Sequence, residues 1–382
     1  MENNYLKYFI FCIYSILFFI SNLKPNEFFA DIRLKKEFKD IENYLELCSK
    51  KTALKVKLKN IKSPKISVIS PVHNQEKFIL RFLRSLQNQD FLEIEILLVD
   101  DLSSDKTIQL IKEEQKNDER IILIKNKKNR GTFITRNIGA LKSKGNYIVF
   151  PDPDDILSRN SLRLFYNSVK KYNAEMLRFN IYMGKDIIDN FELVNLLKDS
   201  RTSQPELSNY IYYGLGKLQQ TDFYITNKLI KREAYIRALN LLKKYYLNLY
   251  MILYEDSLIN FILYRTAKSL YFIKNIGYYY ILNNRSISTN YKIDEIIIKS
   301  ILFNVKILLK YTKNNKKEKD MANLYFGRKC NVSKIINRFE SVKNELRYFY
   351  VTMKKLLKNE FFSINNKIYL NNMIKLCKYK HI

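Results

Sequence analysis

This chain is poor in histidine and has no closely paired cysteines. Its 382 residues include only two histidines, His73 and His381, and four cysteines, Cys12, Cys48, Cys330 and Cys377. The cysteines lie far apart and form no CxxC or Cys/His cluster, which argues against a zinc site and against a dense disulfide framework. Two histidines argue against a histidine-based triad or metal centre, which points to carboxylate chemistry. Acidic residues are scarce too: 38 Asp and Glu stand against 67 Lys and Arg, for a formal net charge of +29. Such an excess ordinarily raises nucleic acid or an anionic membrane surface as partners. Here the lysines are scattered among Asn, Ile and Tyr along the whole chain, and no block resembles a nucleic-acid motif. The charge is read as solvated surface and compositional bias, with no nucleic-acid partner expected. With 47% hydrophobic residues, the chain can bury one large core or two ordinary ones.

Long apolar runs are also few. Residues 8–23 (YFIFCIYSILFFISNL) are almost wholly apolar between Lys7 and Lys24, slightly short of the roughly 20 residues that span a bilayer. The region after them, with Phe28, Phe29 and Ala30, lacks the small residues of a cleavage site, which favours an uncleaved signal anchor over a signal peptide. Membrane attachment through this segment is therefore expected. From residue 30 to residue 65 the sequence is lysine-rich, with Phe38, Ile41, Tyr44, Leu45 and Leu47 at helical spacing, which reads as a stem helix. The expected division is an anchor or signal peptide over 1–25, a stem over 26–64, a catalytic domain over 65–290, and a helical extension over 291–382.

Within 65–290, apolar strand-like runs alternate with helical patterns. Strands are expected over 66–72, 95–100 and 120–125, with a fourth that follows Gly145 and ends at the aspartates. Helices are expected from about Gln75 to Gln89, after an N-cap formed by Ser103-Ser104-Asp105, through Arg136 and Asn137, and from Ser158 to Lys171. A strand over 175–182 follows. This alternation predicts an α/β fold, a Rossmann-like, mainly parallel sheet flanked by helices, whose strand ends converge on one crevice. The fourth strand runs Asn146-Tyr-Ile-Val-Phe-Pro-Asp-Pro-Asp-Asp155 and stops in three carboxylates. Crowded carboxylates repel unless a cation is shared, so Asp152, Asp154 and Asp155 suggest Mg²⁺ or Mn²⁺ beside a phosphate-bearing substrate. A solvated acidic turn capping the next helix is the plainer alternative.

Four motifs occur in order over about ninety residues: Ser67-Val-Ile-Ser-Pro-Val-His-Asn74; Val99-Asp-Asp101 with Ser103-Ser104-Asp105; Asn129-Arg-Gly131 with Thr135-Arg-Asn137 and Gly139; and Phe150-Pro-Asp-Pro-Asp-Asp155. Together they resemble the nucleotide-binding half of family 2 glycosyltransferases of the GT-A fold. His73 stands where a tyrosine is usual, Leu102 where a small residue is, and Thr135 where an alanine is. Further on, Thr226-Asn-Lys-Leu, Tyr254-Glu-Asp-Ser and Gly277-Tyr-Tyr-Tyr-Ile are similar to later family segments. Ile281 occupies a place that is often arginine, and Arg285 is taken as its substitute.

The resemblance implies an inverting, metal-dependent glycosyltransferase that moves a sugar from a nucleotide-sugar donor, a UDP-sugar foremost, to a carbohydrate, glycoprotein or glycolipid hydroxyl. It implies that Pro71, His73, Asp101, Arg136, Asp152 and Arg285 bind the donor. Asp101 would hydrogen-bond the base, His73 lie against it, and Arg136 approach the diphosphate. Asp154, with Asp152, would hold Mn²⁺ or Mg²⁺, and Asp256 would be the general base. Asp101 and the Glu255/Asp256 pair have another reading as helix N-terminal charges, His73 as a satisfied turn histidine, and Arg136 as half of an ion pair. An enzyme of this kind is expected as a single-pass, type II membrane protein of the ER or Golgi. Lys24, Arg33, Lys35 and Lys36 favour the alternative, a cytosolic face. Two other functions stay open: an inactive GT-A-fold binding protein and a basic membrane-surface or nucleic-acid-binding protein.

Overall fold

The computed structural model describes residues 43–44, 63–185, 189–194, 200–203, 224–246, 250–251, 255–282, 300, 303–304 and 307. The chain divides into two units, 1–50 and 51–382. In the first, only helical residues 43–44 are described. The expected anchor, almost all of the stem, Arg285 and nearly all of the C-terminal extension lie outside the described residues. Among the described residues no helix is long and apolar enough to cross a membrane.

The second unit opens with three strands, β1 (Ile66–Val72), β2 (Ile94–Asp100) and β3 (Ile121–Lys125). Between them run helices α1 (Ile79–Gln87) and α2 (Thr107–Gln115). Helix α3 (Gly131–Lys142) then leads back to β4 (Tyr147–Val149) beside β1. Strands β1 to β4 are mutually parallel in the order β3-β2-β1-β4, and nearly every residue of β1 and β2 is buried. Continuous apolar runs are what such strands require, because helices cover both faces of a parallel sheet. The pleat sends alternate side chains to opposite layers. Val68, Ile96, Leu98 and Val149 meet Phe82, Leu86 and Ile111 of α1 and α2. Ile69, Leu97, Val99 and Ile148 meet Phe133 and Ile134 of α3 on the other side.

Beyond β4 the sheet becomes mixed. A short β5 (Ile156–Leu157) and helix α4 (Ser161–Tyr172) lead to β6 (Met176–Lys185), β7 (Asp189–Val194) and β8 (Ser200–Ser203). Strand β9 (Lys228–Lys231), helices α5 (Arg232–Tyr246) and α6 (Glu255–Thr266), and strand β10 (Ser269–Leu282) follow. Strand β9 bridges antiparallel between β4 and β6, while β10 runs parallel to β6 and antiparallel to β5 and β8. The mainly parallel sheet expected from the sequence is present in β1–β4 and in the β6–β10 pair, and antiparallel pairings add β5, β7, β8 and β9.

Two helix starts differ from the sequence expectation for a common reason. Helix α1 begins at Ile79 rather than Gln75, because the Gln75 and Glu76 N–H groups donate to Thr107 Oγ1 and Asp105 Oδ2 at 2.7 and 3.1 Å. Helix α4 begins at Ser161 rather than Ser158, whose N–H donates to the Gly277 carbonyl at 3.1 Å while Asn160 takes a left-handed φ of 61°. In both places long-range partners satisfy the backbone that a first helical turn would leave unpaired. The expected Ser103–Asp105 cap is also shifted: Lys106 occupies the N-cap, and Asp105 Oδ1 accepts the Thr107 N–H at 3.0 Å.

Gly277 sits at an irregularity of the β6–β10 ladder and admits the stacked rings of Phe165 and Phe179, whose centroids are 4.0 Å apart. A Cβ there would lie 2.2 Å from Phe165 Cζ. Gly277→Val should therefore lower stability by about 1–3 kcal/mol through overpacking, read as a drop in melting temperature; an unchanged transition would show that the ring pair yields freely.

Candidate active site

The site grows from the carboxyl ends of β1, β2 and β4. Past β1, His73 Nδ1 lies 3.0 Å from the Asp101 carbonyl oxygen, and Asn74, at φ 52°, donates its N–H to Ser103 Oγ and accepts the Ser104 N–H on Oδ1. Leu102, exposed and at φ 69°, shares this left-handed geometry, which small residues adopt at least cost. The loops after β1 and β2 are thus stitched into one wall, with Pro71 half-buried at its base.

Asp101 organises the neighbouring loop. Its Oδ1 accepts the Asn126 Nδ2 and Arg130 N–H groups, each at 2.8 Å, and Oδ2 accepts the Gly131 N–H at 2.8 Å. A buried carboxylate therefore sits at the N-terminus of α3, where orphan N–H groups and the helix dipole favour negative charge. Gly131 makes this possible: its φ is 77°, and a Cβ would lie 2.7 Å from the Met251 carbonyl oxygen. The alternative reading of Asp101 as a helix-end charge therefore holds at α3. The carboxylate still has acceptor capacity for a ligand donor, since three bonds occupy about four lone-pair sites.

Arg136, on the second turn of α3, is the centre of the site. Only 5% exposed, it donates from Nη1 to Glu255 Oε1 at 2.9 Å and Asp256 Oδ1 at 2.7 Å, and from Nη2 to Asp152 Oδ1 at 2.6 Å. Burial works against its charge, but Asp256, Asp152 and Glu255 outweigh burial and hold the guanidinium above its ordinary pKa. Burial pushes Asp152 up to about 6, with the Asp154 and Asp256 charges adding to the rise and Arg136 opposing it. Burial and then the Asp256 charge raise Glu255 as well. One cation thus faces more negative charge than it can neutralise, and the site would accept another positive group.

The Pro151–Asp155 turn is held from the far side by β10. Tyr278 donates its hydroxyl to Asp155 Oδ2 at 2.6 Å and accepts the Asp152 N–H at 2.9 Å, while the Ile281 N–H donates to Asp155 Oδ1 at 2.8 Å. Arg81 Nη2 donates to the Asp154 carbonyl at 2.9 Å. Asp155 is 1% exposed, and burial, with the Asp154 and Asp152 charges, raises its pKa well above the usual range. It is an anchor of the turn, whereas Asp152 and Asp154 are half-buried. Asp256, at the start of α6, is oriented on both oxygens, since Oδ2 accepts the Ile225 N–H at 3.2 Å.

The structure thus brings Arg136, Asp152 and Asp256 into direct contact, with Asp154 on the same turn as Asp152. His73 and Asp101 form the neighbouring wall. Sequence reasoning gave no role to Tyr278 or to the Ile225 N–H. Only the two-residue alternation of Gly277-Tyr-Tyr-Tyr-Ile hinted that Tyr278 and Tyr280 share a face.

Residues 67–239 match the model of glycosyl transferase family 2. An uncharacterized glycosyltransferase of Haemophilus influenzae is 33% identical over 171 residues, covering 45% of this chain and 64% of that protein. The GalNAc(5)-diNAcBac-PP-undecaprenol beta-1,3-glucosyltransferase of Campylobacter jejuni is 32% identical over 146 residues, or 37% of this chain and 47% of that protein. The chain thus spans less than two thirds of the length of either relative. Among solved structures, S. aureus TarS 1-349 in complex with UDP shares the fold at a TM-score of 0.60 and 17% identity, covering 82% of this chain and 88% of that one. The segment 67–239, which supplies strands β1–β4 and Arg136, is thus the part of this chain that is similar to glycosyl transferase family 2.

Proposed function

We propose that the protein transfers a sugar from a nucleotide-sugar donor to a carbohydrate hydroxyl, with inversion at the anomeric carbon. The observation that carries this is the Arg136 bridge. A single guanidinium contacts Asp152 of the donor-end motif at 2.6 Å and Asp256, the base candidate, at 2.7 Å. The family match and the glycosyltransferase relatives support the reaction class. The structures of TarS with UDP and with UDP-GlcNAc support a UDP-sugar as the first donor to test.

In this mechanism Asp256 takes the proton of the acceptor hydroxyl as its oxygen bonds to the anomeric carbon. The bond from that carbon to the diphosphate oxygen breaks, and the nucleoside diphosphate leaves with the electron pair. Arg136 and the Ile225 N–H fix the Asp256 carboxylate while leaving lone pairs free to receive the proton. Asp101 and His73 border the space assigned to the base, and Arg136 offsets negative charge near the diphosphate.

The residues present fit a hard divalent cation, Mn²⁺ or Mg²⁺. Asp152 and Asp154 offer half-buried oxygen donors, and the charge of Asp154 raises the Asp152 pKa, a repulsion that a cation would relieve. Among the described residues no three His, Cys, Asp or Glu side chains converge in metal-holding geometry. The protein share of the shell would be Asp154 and Asp152, the remainder coming from phosphate and water. A cation there supplies Lewis-acid stabilisation of the leaving diphosphate. Membrane attachment through residues 8–23 belongs to the same proposal and is supported by their apolar run between Lys7 and Lys24.

Two substitutions test this account. Asp256→Asn should lower transfer by at least about a hundredfold while leaving UDP affinity near normal; transfer within a few fold of the parent would remove Asp256 as base and make Glu255 the next candidate. Asp154→Ala should abolish the Mn²⁺-dependent part of UDP binding in calorimetric titration with the fold still cooperative, and unchanged affinity would exclude a metal role for that residue.

A further inference from the structure

Two tyrosines that no step above uses flank the carboxylate cluster. Tyr224 immediately precedes Ile225, whose N–H donates to Asp256 Oδ2 at 3.2 Å. Tyr280 immediately precedes Ile281, whose N–H donates to Asp155 Oδ1 at 2.8 Å. Their rings are nearly parallel, 8° apart in plane with centroids 6.3 Å apart, and both residues are half-buried. Strand alternation puts Tyr280 on the same face as Tyr278, whose hydroxyl reaches Asp155, and opposite to Tyr279, which is buried beside Tyr182. Burial and then the Asp256 charge raise the Tyr224 hydroxyl, which agrees with its place at the edge of the cluster.

We propose that Tyr224 and Tyr280 form an aromatic acceptor subsite that receives the apolar face of a pyranose ring beside Asp256. This rests on the glycosyl-transfer reading above. Ring faces carry negative electrostatic potential and attract the weakly positive C–H groups of a sugar face, and their area is apolar enough to bury it. The chain has no tryptophan, so such a platform must be built from tyrosine or phenylalanine. Position selects the acceptor over the donor. In the sheet order β3-β2-β1-β4-β9-β6-β10-β5, His73 and Asp101 follow β1 and β2 on one side of β4, whereas Tyr224 precedes β9 and Tyr280 lies in β10 on the other side. Asp256 is divided in the same sense, with Oδ1 on Arg136 and Oδ2 on the Ile225 N–H next to Tyr224. A hydroxyl of a ring resting on these tyrosines would reach the carboxylate from the side that Arg136 leaves open.

The test is saturation-transfer NMR on the full chain with UDP and Mn²⁺, using methyl β-D-glucopyranoside, methyl β-D-galactopyranoside and the 2-acetamido-glucoside as probes. At least one should be saturated on its ring hydrogens by the parent. Tyr224→Ala and Tyr280→Ala should each weaken that binding about three- to tenfold, and the Phe variants, which keep the ring, should stay close to the parent. Calorimetric UDP binding on the same samples keeps two failures apart. Normal UDP binding with no saturated glycoside, or with saturation indifferent to the Ala variants, overturns the subsite alone. A parent that binds no UDP overturns the glycosyl-transfer reading and the subsite with it.

Discussion

A buried guanidinium that must be neutralised sets the terms for the rest of this structure. Arg136 has almost no access to water, so the three carboxylates around it are a requirement of burial as much as of chemistry. Removing one partner of a buried ion pair typically costs about 3–5 kcal/mol, because the remaining charge is left uncompensated. The second turn of α3 and the end of β4, 16 residues apart at Arg136 and Asp152, are thereby joined to the start of α6, which lies 120 residues beyond Arg136 at Asp256. The sheet order makes the meeting possible, since α3 crosses from β3 back to β4 beside β1 and α6 packs against the same apolar layer as α3.

Around that ion cluster, each loop is held by a side chain from elsewhere. Asp101 fixes the entry to α3, so the register of Arg136 depends on the wall that carries the proposed base-binding residues. Tyr278 and the Ile281 N–H fix Asp155, and the Tyr278 hydroxyl also holds the Asp152 N–H, so the turn that carries Asp152 and Asp154 is set by β10. The Ile225 N–H fixes the second oxygen of Asp256. A site made this way is preorganised: its carboxylates are oriented before any substrate arrives, which is the condition under which electrostatic stabilisation is most effective.

Much of this was legible in the sequence, and the exceptions have physical causes. Buried parallel strands demand continuous apolar runs, so β1, β2 and β3 could be read within one residue of their observed starts. The motif aspartates could be assigned to strand ends because each run stops abruptly at them. Helix starts were less legible. The N–H groups of Gln75, Glu76 and Ser158 are satisfied by residues 32, 29 and 119 positions away, and no local pattern records such partners. The contacts of Arg136 with Glu255 and Asp256 span 119 and 120 residues, so the sequence offered Arg136 as a residue near the diphosphate or as half of an ion pair, with no sign of which carboxylates it joins. The mixed half of the sheet was hidden for a related reason, because β9 inserts between β4 and β6 from a distant part of the chain.

Asp152 and Asp256 meet on one guanidinium and should form one energetic unit, which a double-mutant cycle on stability tests most directly. Asp152→Asn, Asp256→Asn and the double variant would be compared with the parent by denaturant unfolding. Residues sharing one buried ion network couple by about 0.5–3 kcal/mol, and a coupling of at least about 1 kcal/mol is predicted here. Additivity within about 0.3–0.5 kcal/mol would mean that the two carboxylates act independently, and would contradict the account.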